Sequence, residues 1–174
     1  MAISFRLVKD KDFEQISTLY SKYIDWQENN STESFNQKRT PEEMVAMYHK
    51  KKFDPQTLNY KPEKEGSPDH FGFVAEEGGK ILAYYKWGGR LNREGKQCGC
   101  YISVWRDGYD KEAKQLLEFC FDELANLGFK LATGHMSRRM VSNSKHNFFK
   151  EYVHRIIVED DGESLLFERD LRKD

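Results

Sequence analysis

Cysteine is scarce in this chain: Cys98, Cys100 and Cys120 are the whole complement in 174 residues. An odd number of thiols without a secretory leader argues against a disulfide framework, so the fold must rest on a hydrophobic core. Metal-ligand spacing is missing too. Cys98 and Cys100 would share one face of a strand, but no Cys or His set at zinc spacing completes a ligand quartet, and we expect no metal. Proline is rare, and three of the four, Pro55, Pro62 and Pro68, fall together between Asp54 and Asp69. That charged, aperiodic stretch reads as a connector or as a flap over a substrate.

Neither sign of charge prevails. Lys and Arg number 28 against 29 Asp and Glu, a net charge of −1, so no global field draws the protein to nucleic acid or to an anionic membrane. No uncharged apolar run is long enough to span a bilayer, and the opening MAISFRLVKD has no apolar signal core. We expect a cytoplasmic protein. What the chain has in quantity is aromatic surface to bury: 12 Phe, 9 Tyr and 3 Trp. At this length it is expected to form a single domain, residues 1–174.

The apolar pattern sets the order of elements. Ile3, Phe5 and Leu7 alternate as a strand, and Ile16, Leu19, Tyr20, Tyr23 and Ile24 then fall on one face of a helix. Asp12 and Gln15 have capping-box spacing at its start. After a polar stretch from Gln27 to Arg39, Thr40-Pro41-Glu42-Glu43 opens a second helix, expected to reach about Lys52. HFGFVAEE, KILAYYKW and CGCYISVW, separated by turns, predict an antiparallel meander.

A long amphipathic helix follows, with Ala113, Leu116, Leu117, Cys120, Phe121, Leu124 and Leu127 on one face and Gly128 at its end. FKLATGHM is expected as a strand parallel to the one before the helix. A short helix over 142–152 and a closing hairpin around Asp161-Gly162 complete the chain. The fold class is therefore α/β in layers.

That order resembles the Gcn5-related N-acetyltransferase (GNAT) superfamily, and the likeness extends to local sequence. Arg106-Asp107-Gly108-Tyr109-Asp110-Lys111-Glu112-Ala113, followed by Leu116-Leu117 and Phe119-Cys120-Phe121, is similar to the pyrophosphate loop and helix of the ribosomal-protein acetyltransferase branch. The usual run there is Arg-Gly-Lys-Gly-Tyr-Ala-Thr-Glu-Ala. This loop is one residue shorter, and Asp107 stands where the family prefers glycine.

The resemblance implies a mixed, mostly antiparallel, twisted sheet of about seven strands flanked by about four helices. It implies acetyl-CoA as cosubstrate, an amine-bearing acceptor, either small molecule or protein, and direct attack of that amine on the thioester. Cofactor contacts would fall on Trp105, Arg106, Asp107, Gly108, Tyr109, Asp110 and Lys111, and on Asn143 and Phe149 after the next strand. A helix N-terminus suits a phosphate independently of any family, because its N–H groups lack intrahelical acceptors; Asp107 and Asp110 oppose that role by charge, or simply cap the helix.

The family's tyrosine acid has no clear counterpart. Phe149 holds its place, and Tyr152, one turn later, is the candidate substitute. His135 is the candidate proton acceptor, with His146 as an alternative. The Asn143, His146 and Phe149 spacing is also similar to that of phage-encoded GNAT-like proteins, some of them virion components, which leaves a catalytically silent module as a competing expectation. Pairing of closing hairpins into a homodimer stays open. The run His135-Met136-Ser137-Arg138-Arg139 with Lys145 and Lys150 is locally basic, but no nucleic-acid-binding motif accompanies it.

Overall fold

The computed structural model describes residues 2–30, 37–49, 53–54, 59–60, 69–90, 97–142, 146–159 and 161–172. Strand β1 (Ser4–Leu7) leads through a 3-10 turn (Asp10–Asp12) into helix α1 (Phe13–Asn30), and α2 follows at Pro41–His49. A small ladder pairs β2 (Phe53–Asp54) with β3 (Asn59–Tyr60) inside the stretch expected to be irregular; the rest of that candidate flap lies outside the described residues. The meander is β4 (Asp69–Glu77), β5 (Lys80–Arg90) and β6 (Gln97–Trp105). Helix α3 (Asp110–Asn126), β7 (Leu131–Ser137), α4 (Arg138–Ser142), a 3-10 turn (Asn147–Tyr152), β8 (Arg155–Val158) and β9 (Ser164–Asp170) finish the order. No helix among the described residues is long and apolar enough to cross a membrane.

Seven strands form one sheet in the order β1-β4-β5-β6-β7-β9-β8. All neighbours are antiparallel except β6 and β7, which α3 joins as a parallel pair. Both faces of the central strands are covered, which explains their near-continuous apolar runs. Phe71, Phe73, Tyr85, Trp87 and Trp105 pack toward α3, whose Ala113, Leu116, Leu117, Cys120, Phe121 and Leu124 are buried. Val74, Ile81, Tyr84 and Val104 pack the other way, against α1 and α2. Helix α3 ends as its composition predicts: Gly128 takes φ +89°, and the N–H groups of Gly128 and Phe129 return to the carbonyls of Ala125 and Leu124.

Helix α1 begins differently from expectation. Asp12 does not form a capping box with Gln15; its carboxylate accepts the backbone N–H of Lys9 at 2.7 Å and both Nη atoms of Arg6, at 2.7 and 3.0 Å. A nearby guanidinium is the stronger competitor for a buried carboxylate, so the start moves three residues upstream as a 3-10 turn. Gln15 instead ties α1 to the β4–β5 hairpin, donating to the Gly79 carbonyl and accepting from Ile81 N–H. Near the other end of the chain, the helix expected over 142–152 is replaced by two pieces, because α4 starts at Arg138 directly after β7. Ser137 Oγ accepts the Met140 N–H there and caps it.

Candidate active site at the strand fork

The parallel joint is short. Strands β6 and β7 pair only from Gln97↔Leu131 to Cys100↔Gly134, after which β6 stays with β5 and β7 with β9. A bulge marks the parting point: Lys86 faces Ile102 and Trp87 faces Cys100, so Tyr101 is the extra residue. A bulge bends its strand and adds twist, which turns β6 away from β7. The resulting fork holds a cavity of about 480 Å³. Its walls include Tyr20, Tyr23 and Gln27 from α1, Tyr101 and Ser103 from β6, and Thr133, His135 and Ser137 from β7.

Beyond Trp105 the chain makes a tight turn. Tyr109 N–H donates to the Arg106 carbonyl at 3.1 Å, and Gly108 sits at φ +82°, a conformation that strains any residue with a Cβ. The first intrahelical bond of α3 runs from Ala113 N–H to the Tyr109 carbonyl, so the N–H groups of the first turn lie outside the ladder. A Cβ added at Gly108 would meet nothing within 4 Å, so this backbone is open to an approaching ligand. Lys22, Lys80, Arg106 and Asp107 line an adjoining cavity of about 370 Å³ between α1 and the turn. That lining suits an anion.

Individual side chains of this turn are already engaged. Arg106 points back, not outward: Nε donates to the Ile81 carbonyl at 2.6 Å and Nη2 to Gln15 Oε1 at 3.1 Å. Lys80 Nζ lies 4.8 Å above the Tyr109 ring and 3.0 Å from its hydroxyl. Trp105 donates its indole N–H to Asp110 Oδ1 at 2.6 Å. Asp110 is thus the first residue of α3 and not its cap, a position held by Tyr109. Asp107 and Lys111 are exposed.

The remaining candidates separate. His135 lines the larger cavity, with Nε2 3.3 Å from Glu159 Oε1. Phe149 lines the same cavity, stacked on Phe148 at 4.5 Å and edge-on to Tyr85 at 6.3 Å. Tyr152 lines neither cavity; burial and then the Glu118 carboxylate beside it push its phenol up. Asn143 lies outside the described residues. His146, only 1% exposed, is packed between Trp105, Trp26 and Tyr23, with ring centroids 5.1, 5.3 and 6.1 Å away.

Comparison with known proteins gives fold without close kinship. No protein-family model and no curated protein matches the sequence. Solved structures do match, along nearly the whole chain. An acetyltransferase of the GNAT family from Staphylococcus aureus superposes with a TM-score of 0.64 at 14% identity, covering 98% of this chain and 99% of its own. PaiA N-acetyltransferase from Thermoplasma acidophilum, in complex with coenzyme A, gives 0.69 at 13% identity, covering 98% and 99%. The ribosomal-protein-S18-alanine N-acetyltransferase from Escherichia coli gives 0.60 at 12%, covering 98% and 94%.

The chain has the GNAT fold.

Within the GNAT fold the turn after β6 is what the sequence resemblance pointed to, but α1 supplies a wall of the fork that it did not foresee. Tyr20 and Tyr23 read as apolar positions of an amphipathic helix, and Gln27 as the start of a polar stretch. In fact α1 continues through Asn30, and Gln27 Nε2 donates to the Tyr23 hydroxyl oxygen at 2.8 Å. The available signal was the hydroxyl itself: a tyrosine on a buried face needs a partner for its oxygen.

Proposed function

We propose that this chain is an acetyl-CoA-dependent N-acyltransferase, one domain over residues 1–174, acting in the cytoplasm. The fork supports this reading most directly: a strand pair that opens at a bulge, with a glycine turn and a helix N-terminus beside it, offers an anion site and a reaction chamber in series. The turn and the α3 N–H groups would hold the pyrophosphate, with Lys22 and Lys80 balancing its charge. Backbone groups along the parted stretch of β6 would pair with the pantetheine arm as an added strand does. A primary amine, on a small molecule or a protein, would enter the larger cavity, where His135, paired with Glu159, can accept its proton.

A second reading is favoured by one contact. The Trp105–Asp110 hydrogen bond places a carboxylate at the start of α3, where a phosphate would otherwise be bound. On that reading the domain is catalytically silent and serves as a binding or structural module, for example within a phage particle.

Isothermal titration with acetyl-CoA and with CoA separates the two. The enzyme reading expects micromolar binding by the natural chain and none by Gly108→Arg, whose folded state is checked by circular dichroism. Absence of binding at millimolar cofactor favours the silent module.

A further inference from the structure

Among the described residues, the two cavities meet at two of those that line them. Tyr23 and Ser103 belong to both walls, so a ligand that reaches from the turn at Gly108 into the fork passes between them. Tyr23 is prepared on one side. Gln27 Nε2 donates to its hydroxyl oxygen at 2.8 Å, while the hydroxyl lies 3.6 Å from the thioether sulfur of Met140, a weak acceptor. Its O–H is therefore directed toward sulfur and can turn to a stronger acceptor without rupturing a strong bond.

Tyr20 and Tyr101 line the larger cavity but not the smaller, and two further phenols are engaged elsewhere. Tyr109 is held by Lys80, and Tyr152 faces Glu118. Burial, with Tyr20 and Cys100 nearby, raises the Tyr23 phenol well above its ordinary range, so it stays protonated across the working pH.

Resting on the acyltransferase reading, we infer that Tyr23 is the proton donor to the sulfur released from the thioester, and that Gln27 is the residue positioning it. As the amine nitrogen forms its bond to the carbonyl carbon, the C–S bond breaks and the electron pair leaves on sulfur. Tyr23 delivers its proton to that sulfur. The proton shed by the amine, accepted by His135 and relayed through water in the cavity, restores the phenol, so the sum is amine plus thioester giving amide plus thiol.

The test needs no acceptor. CoA and desulfo-CoA are titrated calorimetrically into the natural chain, Tyr23→Phe, Gln27→Met and Tyr152→Phe, and the ionisation of bound CoA is followed by thiolate absorbance. Phenylalanine keeps the ring packed against Trp26 and His146, and Gln27→Met gives an independent perturbation if Tyr23→Phe is unstable.

At a pH above the midpoint of the bound thiol, the natural chain is expected to prefer CoA over desulfo-CoA by roughly tenfold, the preference of a charge-stabilising hydrogen bond, and Tyr23→Phe to bind both alike. The thiol midpoint of bound CoA should rise by about one pH unit in Tyr23→Phe and by less in Gln27→Met. An unchanged preference and midpoint in Tyr23→Phe, or their loss in Tyr152→Phe instead, overturns the assignment and leaves the acyltransferase reading standing. If neither ligand binds the natural chain, both fall together.

Discussion

Asp110 offers a perturbation whose two effects have opposite signs. Its carboxylate accepts the Trp105 indole N–H at 2.6 Å in the first turn of α3. Asp110→Asn keeps the shape and the acceptor oxygen but removes the charge. A charged hydrogen bond exceeds a neutral one by about 1 kcal/mol, and a carboxylate at a helix N-terminus adds about 0.5 kcal/mol. The variant should therefore lose about 1–1.5 kcal/mol of stability, or roughly 3–6 °C in Tm for a chain of this size.

Affinity for CoA should move the other way. A phosphate at the helix start would lie about 6 Å from the carboxylate, a repulsion of roughly 0.7 kcal/mol in water and about 3 kcal/mol at an effective dielectric of 20. Because Asp110 is exposed, screening keeps the value near the lower end, about 1 kcal/mol, or roughly fivefold in Kd. Paired thermal melts and titrations measure both. A lower Tm with unchanged or weaker CoA binding would refute the placement of the pyrophosphate at this turn.

Three further outcomes follow from the same contacts. Burial alone would raise the Asp12 carboxyl, but the Arg6 and Lys9 hydrogen bonds outweigh it and hold it below the usual range. That contribution is present above the unfolded value of about 3.9 and is lost as pH falls through the folded one; Asp12→Asn should lower stability at pH 7 and flatten the acid limb of denaturant midpoints against pH. Burial pushes the thiols of Cys98 and Cys120 well up and that of Cys100 to about 12, so Ellman's reagent at pH 8 should react with the native chain at least roughly 100-fold more slowly than with the unfolded one. A Cβ at Gly72 would come within 2.6 Å of the Tyr84 ring, and Gly72→Ala should cost about 1–3 kcal/mol by chemical denaturation, a cost that Gly79→Ala, with open space around it, does not share in steric form.

Much of this architecture could be read from periodicity. The meander, the long α3 with its glycine stop and the parallel return of β7 are written in alternation, in an i, i+3, i+4 stripe and in the chain distance a crossover needs. Local capping rules were less reliable, because Asp12 and Gln15 answer to Arg6 and to the β4–β5 hairpin, partners far away in sequence. The fork was not legible strand by strand: its cause, one extra residue at Tyr101 opposite Lys86 and Trp87, depends on a register that no single strand encodes. Arg106 shows the same limit. Its position in the motif suggested an anion contact, yet a carbonyl and an amide within reach take its guanidinium.

The place of β9 between β7 and β8 bears on how the protein is made. Residues 164–170 follow both β7 and β8 in the chain, yet they cover one whole edge of β7 and, among the described residues, provide the sole strand neighbour of β8. Until they emerge, a nascent chain holding everything through β8 carries an open strand edge beside the finished meander, a template for pairing with other chains. Expression of this protein should accordingly be sensitive to anything that delays the synthesis of residues 164–170, such as slow translation of that stretch, and chaperone capture should be greatest while β9 is missing.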